Sequence, residues 1–276
     1  MSVKSKLSVY ILTHNSEKYL HKVLEAVSVV ADDLVILDSG STDATADIVA
    51  RWNGRFLSRP LDNFSAQRQF AIDNCRYDYV FSLDSDEIPD QELLAHIQEL
   101  KKTGFTEDAY AIQRHWFVAG QPVHCLYPVT SPDTTVRLLN RQKVDFRRPA
   151  HLHESPRGYE RKQDLRGSVS HYTFETREEL ERKLEKYSSL AAVDLIRNKR
   201  SLSLFHQVAV PLALWVRWYL LHKGFLDGAL GWRLGLFAFR HSWKKYAKAR
   251  AIVRQGGLPP VNEVKAGGTV DEEVAA

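Results

Sequence analysis

The chain has 276 residues, of which 44% are hydrophobic and 26% are charged, a composition typical of globular proteins and not of disordered or fibrous ones. Its two cysteines, Cys75 and Cys125, exclude a disulfide framework and favour a reducing compartment. The net charge of +4 is unevenly distributed, because residues 204–255 hold nine Lys or Arg and one acid, Asp227. This basic segment predicts an anionic partner.

The amino-terminal part of the chain alternates short apolar strands with helices. Strands are predicted at residues 7–12, 34–37, 55–57 and 79–83, and the helices between them include residues 44–52 and 64–74. Asn15 or Ser16 can cap the first helix. Because the strands are apolar on both faces and their connections are short, the pattern predicts a parallel sheet with helices on both sides, an α/β fold.

Small polar residues follow three of the four strands and should meet at one edge of the sheet. In an open α/β sheet, ligands bind at the carboxyl ends of the strands. Asp38 stands where a carboxylate could accept a hydrogen bond from a nucleotide base or ribose. Asp38 or Ser41 could equally cap the next helix, and for Ser41 capping is the favoured interpretation.

The fourth strand leads into Asp84-Ser85-Asp86-Glu87, followed by a helix that Pro89 opens. Carboxylates this close repel each other, so a cation among them is expected. Oxygen ligands suit Mg²⁺ or Mn²⁺, which bind one or two carboxylates together with substrate phosphates. The pattern therefore predicts a metal held against a nucleotide diphosphate, although an acidic helix start would give the same residues.

A third polar stretch, residues 65–68, opens the helix before the fourth strand and ends in Arg68. The Arg68 guanidinium could approach a base or a phosphate at the sheet edge. A surface arginine on a first helical turn is the alternative.

Together these motifs resemble family-two glycosyltransferases in their order and spacing. The resemblance covers roughly residues 5–175 and rests on Thr13-His14-Asn15, on Asp38-Ser39-Gly40-Ser41-Thr42-Asp43, on the Ser65-to-Arg68 helix start and on Asp84-Ser85-Asp86. It implies a single nucleotide-binding domain of the GT-A fold and a metal-dependent, inverting transfer from a nucleotide-diphosphate sugar.

The resemblance also implies roles for individual residues. Donor-binding residues would be Thr13, Asn15, Asp38, Ser41, Arg68, Asp84 and Ser85. Asp38 and Arg68 would contact the nucleoside, and Asp84 the ribose or the metal. Asp86 would be the metal ligand.

The acceptor half has a predicted helix at residues 91–102 and strands at 109–118 and 134–140, the last containing Arg137. An inverting transferase needs one base to deprotonate the acceptor hydroxyl. In the family a carboxylate after these strands serves as that base, and Glu154 matches the position. A polar loop whose histidines bond locally is the alternative interpretation.

Three histidines are candidates for the remaining chemistry. Imidazole accompanies carboxylates on Mn²⁺ sites, and His171 follows a strand-like run that could return to the metal edge. His171 is therefore the preferred metal ligand and His153 the second choice. His151, His153 and Arg137 are assigned to the acceptor side, although a histidine is more often a packing residue than a ligand.

The carboxyl-terminal part reads as a helical extension. Residues 177–199 are predicted to form a highly charged helix that stands as a solvated strut. Residues 204–254 hold four of the six tryptophans among basic residues, a pattern typical of a membrane interface. The alternative is that these helices pack on the catalytic domain. The predicted domains are 1–175, 176–255 and a disordered tail, 256–276.

The amino terminus has no apolar run of signal-peptide length, and Val208–Leu221 is too short to span a bilayer. We therefore expect a cytoplasmic protein, peripheral on the inner face of the inner membrane. The carboxyl segment with Gly224–Gly228 resembles the family-two enzymes that add glucose to the inner-core heptose of bacterial lipopolysaccharide. That resemblance implies UDP-glucose as donor, a glycolipid acceptor and an anionic membrane surface as partner.

Three other functions fit parts of the sequence. Basic residues interleaved with aromatics suggest nucleic-acid binding, but the acidic strand ends would repel phosphate without a metal, so no nucleic-acid partner is expected. A silent nucleotide-sugar-binding module would keep Asp38 and Asp86 without needing Glu154. A transferase of the same fold could also act with another donor, or on a protein or another glycan.

Overall fold

The computed structural model describes residues 5–146, 156–198 and 200–255. These residues form two compact units. The first unit comprises residues 5–115, 133–146 and 156–171, and the second comprises 116–132, 172–198 and 200–255. The sequence placed the domain boundary after residue 175, whereas residues 116–132 group with the carboxyl-terminal helices. The predicted disordered tail, 256–276, lies outside the described residues.

The elements follow in chain order. The first ten are β1 Leu7–Thr13, α1 Leu20–Val27, β2 Asp33–Asp38, α2 Thr45–Val49, β3 Arg55–Ser58, α3 Phe64–Asp73, β4 Tyr79–Asp84, β5 Glu87–Pro89, α4 Gln91–Thr103 and β6 Ala109–Val118. They are followed by β7 Gln121–Pro122, β8 Cys125–Leu126, β9 Val129–Thr130, β10 Asp133–Asn140, β11 Lys162–Phe174, α5 Arg177–Arg197, α6 Leu204–Trp215 and α7 Gly228–Arg254. Between α6 and α7 lie a π-helical segment, Val216–Leu221, and a 3-10 turn, Gly224–Asp227.

Within the described residues, eight strands run in the order β3-β2-β1-β4-β10-β6-β11-β5. The pairs β3–β2, β2–β1 and β1–β4 are parallel, whereas β10 is antiparallel to β4 and β6, and β5 is antiparallel to β11. Residues 116–118 of β6 and 172–174 of β11 belong to the second unit, in which β7 pairs with β6. The predicted parallel sheet is confirmed for its first four strands.

The central strand β1 is largely apolar because both of its faces are covered. Val9 and Ile11 pack into one core with the buried face of α1, and Tyr10 packs on the other side with Ala71 and Ile72 of α3. A strand buried on both faces needs a continuous apolar run and not an alternating one. This layering of helices on both faces, with a helical extension, confirms the predicted α/β class.

Two predicted helix starts are wrong. Tyr19 stands at the N-cap of α1 without a side-chain bond, so neither Asn15 nor Ser16 caps this helix. Pro89 ends β5 and does not open α4. Asp90 caps the first turn of that helix and accepts a hydrogen bond of 2.8 Å from the Leu93 N–H.

In the second unit, α5 is a packing helix and not the solvated strut that its charges suggested. Leu184, Ser188 and Ala192 recur every four residues and are buried. Its acids pair with α7: both guanidinium nitrogens of Arg240 donate to Glu181, and Lys244 Nζ lies 2.6 Å from Glu185. Charges that looked free in the sequence therefore join two helices.

The prediction that no segment is long enough to span a bilayer is wrong. Among the described residues, Leu204–Leu221 is one helix of 18 residues that passes the length and composition criteria for crossing a membrane. The π-helical segment extends α6 by six residues and so makes the difference. Only 11% of the helix is buried in the protein.

Candidate active site

The register of the parallel strands brings the polar strand ends level. Thr13 lies opposite Asp38, and Leu12 lies opposite Asp84. The loops after β1, β2 and β4 therefore meet at one edge of the first unit, as the sequence predicted. We call this edge, with β5 and the facing part of β11, the carboxylate edge.

Asp38 organises the loop after β2. Its carboxylate accepts hydrogen bonds from the Gly40 N–H (2.9 Å), the Ser41 N–H (2.8 Å), the Ser41 hydroxyl and the Thr13 hydroxyl. Burial opposes ionisation of Asp38, but these donors outweigh it and lower the carboxyl pKa. Because α2 begins after Ala44 without a side-chain cap, the capping interpretation of Asp38 and Ser41 is wrong.

Asn15 and Ser16 tie the three loops together. Asn15 has a left-handed backbone with φ of 49°, which Asn tolerates better than most residues. Its side-chain oxygen accepts a hydrogen bond of 2.8 Å from the Thr42 N–H, and its own N–H donates to the Ser41 hydroxyl. The Ser16 and Ser85 hydroxyls share a hydrogen bond of 2.7 Å. The predicted donor-binding residues of all three loops thus lie within one hydrogen-bonded edge.

Asp84, at the end of β4, is held between two arginines. Arg68 Nη2 donates to Asp84 Oδ1 at 2.8 Å, and Arg137 Nη2 donates to Oδ2 at 2.9 Å. Arg68 also donates to the Ser82 hydroxyl and is buried, so it is not the surface arginine of the alternative interpretation. Burial opposes ionisation of Asp84, but the two guanidiniums outweigh it and hold the carboxyl pKa well below its usual range.

Glu87 is fully buried, with 0% exposure of its side chain, and joins these groups to a second ion pair. Its Oε1 accepts hydrogen bonds from Arg137 and from Arg114 Nη1, the latter at 3.1 Å. Its Oε2 accepts from the Asp84 N–H at 3.1 Å. Arg114 in turn binds both oxygens of Asp133, at 3.0 and 2.6 Å. A buried charge this well paired is costly to disturb, because removal of one partner leaves the others uncompensated.

His171 reaches the same edge from β11. The antiparallel pairing of β5 with β11 sets His171 opposite Glu87. Its Nε2 lies 3.4 Å from Asp86 Oδ2, and its Nδ1 lies 3.8 Å from Glu87 Oε1. Burial lowers the imidazole pKa, but the carboxylates of Asp86 and Glu87 outweigh it, and the net pKa is raised. The side chain is 13% exposed, against 34% for Asp86.

Asp86 and His171 are the pair that fits a divalent metal. Asp84 is occupied by two guanidiniums, whereas Asp86 and His171 present an oxygen and a nitrogen side by side. Within the described ranges, no group of three or more His, Cys, Asp or Glu side chains is arranged to hold a metal. Two protein donors suffice for Mg²⁺ or Mn²⁺ when phosphate oxygens and water supply the others.

Three predicted site residues, His151, His153 and Glu154, lie outside the described residues. Arg137 was assigned to the acceptor side, yet the ion pairs described for it are with Asp84 and Glu87 at the carboxylate edge.

The sequence reasoning missed Arg114 and Asp133 and did not assign a role to Glu87. Arg114 interrupts the apolar strand β6, and Arg137 interrupts β10. Buried strands seldom carry unpaired charges, so these arginines could have indicated partners on neighbouring strands.

Residues 8–169 match the family described as Glycosyl transferase family 2. The lipopolysaccharide core biosynthesis glycosyltransferase LpsC of Rhizobium meliloti is 30% identical over 250 residues, which cover 87% of each chain. An uncharacterized glycosyltransferase of Rickettsia prowazekii, RP128, is 25% identical over 235 residues, covering 81% of this chain and 79% of that one.

Among solved structures, glucosyl-3-phosphoglycerate synthase of Mycobacterium tuberculosis, determined with Mn²⁺, UDP and glucosyl-3-phosphoglycerate, aligns with a TM-score of 0.34 at 23% identity, covering 41% of this chain and 44% of that one. The family match spans more than half of the chain, and the family resemblance read from the motifs is confirmed. The chain belongs to glycosyl transferase family 2 and is a glycosyltransferase.

Proposed function

We propose that the protein transfers a hexose, glucose from UDP-glucose, onto a lipopolysaccharide-core glycolipid with inversion at the sugar carbon. The observation that carries the proposal is the pair Asp86–His171 beside the arginine-clamped Asp84 at the carboxylate edge. The similarity to LpsC supports the acceptor class. The choice of glucose rests on the resemblance of the carboxyl segment.

The donor nucleotide would bind along the three loops that Asn15, Ser16 and Asp38 hold together. Thr13, Ser41 and Ser85 stabilise these loops through their hydroxyls, which fixes the edge before the donor arrives. Because these loops need no rearrangement when the donor binds, little free energy is lost in ordering them.

Asp84 would accept a hydrogen bond from the ribose. Arg68 and Arg137 keep the Asp84 carboxylate ionised and fixed in orientation, so its oxygens can accept a hydrogen bond at neutral pH. We propose that Arg137 positions Asp84 and Glu87, in place of the acceptor-side role that the sequence suggested.

Asp86 and His171 would hold Mg²⁺ or Mn²⁺ together with the donor diphosphate. When bound, the metal stabilises the negative charge that builds up on the departing diphosphate. Glu87 Oε1 lies 3.8 Å from His171 Nδ1, and His171 Nε2 faces Asp86 Oδ2 at 3.4 Å.

We propose Glu154 as the base that removes the proton from the acceptor hydroxyl, with His151 and His153 on the acceptor side. A single carboxylate near the acceptor is sufficient for an inverting transfer. Because a lipid-linked acceptor is held at a membrane, we place the reaction at the cytoplasmic face of the inner membrane.

Titration calorimetry of UDP-glucose and GDP-mannose, with and without Mn²⁺, tests the donor site. We expect metal-dependent binding of UDP-glucose that is lost in Asp86→Ala and kept in Asp164→Ala, a control on the same strand as His171 whose side chain is exposed. Absence of nucleotide binding both with and without Mn²⁺ would overturn the proposal.

Measuring turnover distinguishes a transferase from a silent nucleotide-sugar-binding module. Glu154→Gln should abolish transfer to a heptose-containing core acceptor and leave the affinity for UDP-glucose unchanged. If the same variant transferred sugar at the wild-type rate, Glu154 would not be the base.

A further inference from the structure

Six large exposed apolar side chains of the second unit lie on one helix. On Leu204–Leu221 they are Leu204, Phe205, Val208, Leu212, Leu220 and Leu221. Spacings of four residues place them along one face of a helix. Phe205 and Leu221, near its two ends, are 74% and 72% exposed, so the described residues of the unit leave this face uncovered.

The apolar face continues onto the start of α7 through a cluster of aromatic rings. Trp232, itself 50% exposed, meets Trp215 at 5.6 Å and Tyr219 at 5.5 Å in edge-to-face geometry. Leu236, one turn after Trp232, is also exposed, as is Leu226 in the 3-10 turn. We call this surface, formed by exposed residues between 204 and 236, the hairpin face.

Within residues 204–236, the exposed charges are of one sign. Arg217, Lys223 and Arg233 are exposed, whereas the one acid of the segment, Asp227, has a side chain that is 3% exposed and bound to His124 at 2.5 Å. In this segment, exposed cations lie beside exposed apolar side chains. This combination matches a surface whose outer layer is anionic and whose inner layer is apolar. A lipid layer with anionic headgroups has this chemistry.

We propose that the hairpin face lies in the plane of a membrane that contains anionic lipids, with its apolar side chains at the boundary between headgroups and acyl chains. Trp232 and its neighbouring rings then lie at headgroup depth, where aromatic rings are favoured. Arg217, Lys223 and Arg233 meet the lipid phosphates. None of these residues belongs to the carboxylate edge, so the inference stands apart from the proposed reaction.

The helix lies along the membrane and does not cross it, because its two sides differ. The opposite side of Leu204–Leu221 carries Pro211 and Trp218, which are buried in the second unit, and Trp218 packs with Cys125 and Ala238. A membrane-spanning helix would have to give up these contacts and take Arg217 into the hydrocarbon. A helix in the membrane plane keeps these contacts and leaves Arg217 outside the hydrocarbon.

Flotation of the full-length protein with lipid vesicles tests the inference. We expect binding to vesicles of phosphatidylcholine with phosphatidylglycerol and much weaker binding to phosphatidylcholine alone. The double variant Phe205→Ser with Leu221→Ser should lower the vesicle partition coefficient by at least about tenfold. Its matched control is Val29→Ser with Phe56→Ser, two exposed apolar residues of the first unit, which should bind as the wild type does.

The cations are tested separately. Arg217→Gln with Lys223→Gln should lower the affinity for anionic vesicles by about fivefold for each charge removed and leave binding to neutral vesicles unchanged. In the wild type, brominated lipids should quench tryptophan fluorescence most when the bromine is close to the headgroup. Greatest quenching at the bilayer centre, or retention in membranes washed with alkaline carbonate, would overturn the in-plane geometry.

A second copy of the chain is the competing occupant of the hairpin face. Light scattering during gel filtration without lipid should show the wild type and the Phe205→Ser, Leu221→Ser variant at the same mass. A wild-type dimer that the variant dissociates, with no vesicle binding by either, would overturn the proposal. Calorimetry with UDP-glucose on the same samples is expected to be unaffected, so failure here is distinguishable from failure of the transferase proposal.

Discussion

The two units depart from the usual distribution of polar and apolar residues in opposite ways. At the carboxylate edge, the first unit buries charged side chains, among them Arg68, Arg137 and Glu87. At the hairpin face, the second unit exposes large apolar ones such as Phe205 and Leu221. Buried charge and exposed apolar surface both cost free energy in a free monomer, so each is informative where it occurs. This difference supports our two proposals, a charged small molecule as the ligand of the first unit and a lipid surface as the partner of the second.

The largest effect should follow from breaking the buried charge network of the first unit. Glu87→Leu leaves Arg114 and Arg137 without a shared carboxylate, and we expect the free energy of unfolding to fall by about 3 kcal/mol or more. Urea unfolding followed by circular dichroism measures it. The control, Glu160→Gln at an exposed side chain, should change little. A loss below about 1 kcal/mol would mean that the network does not support the edge.

The two units also differ in how their histidines should respond to pH, with His171 largely buried in the first unit and His241 buried in the second. His171 has a raised pKa because of Asp86 and Glu87, whereas burial, aided by Lys245, lowers the pKa of His241 to about 4. Between pH 6.5 and 4 the unfolded chain binds a proton at His241 that the folded chain does not, so stability falls as the pH falls. The loss should reach about 3 kcal/mol, since one pKa unit corresponds to about 1.4 kcal/mol.

The measurement is urea unfolding across this pH range, followed by tryptophan fluorescence. The second unit contains five of the six tryptophans, which makes the signal specific. His241→Gln should flatten the acid side of the profile, and His21→Gln, at an exposed position of the first unit, should leave it unchanged. Identical profiles for all three proteins would contradict the assignment.

The stability of the 3-10 turn in the hairpin face should depend on the close backbone contact between Gly231 and Gly224. A Cβ at Gly231 would lie 1.7 Å from the Gly224 carbonyl oxygen, so Gly231→Ala must push α7 away from the 3-10 turn. We expect a loss of about 2 kcal/mol in thermal or urea unfolding. Ala229→Ser, an exposed neighbour on the same helix, should be nearly neutral. Equal stabilities for the two variants would show that the turn can move freely.

The clamp on Asp84 should matter more for affinity than for stability. Arg68→Lys retains the charge but cannot reach both Ser82 and Asp84, so UDP-glucose should bind about tenfold more weakly. Calorimetry measures this, with Arg51→Lys at an exposed site as the control. Unchanged affinity would remove Arg68 from the donor site.

The smallest effect on stability is expected at the hairpin face itself. Phe205→Ser removes a side chain that is mostly in contact with solvent, so the free energy of unfolding should change by less than about 0.5 kcal/mol. A large loss would show that Phe205 packs within the protein and that the comparison between the units is overstated.

The strands and the polar edge were predictable because their signals are local. β1 and β2 read as apolar runs followed by polar turns, and parallel strands place those turns together. The ion pairs of Arg114 were not predictable, because its partners come from β5 and β10, and only the folded sheet brings these strands close to Arg114. Likewise, nothing in residues 116–132 indicates that they group with helices that follow much later in the chain.

The pairing of β5 with β11 has a consequence for the order in which the site can assemble. The loops proposed to bind the nucleotide follow β1, β2 and β4, whose strand pairings join residues closer in the chain than Glu87 and His171 are. Asp86 and His171 meet only after the intervening chain has folded and β11 has docked, and contacts of such sequence separation form late. A refolding chain should therefore regain affinity for the nucleotide before it regains the response of that affinity to Mn²⁺.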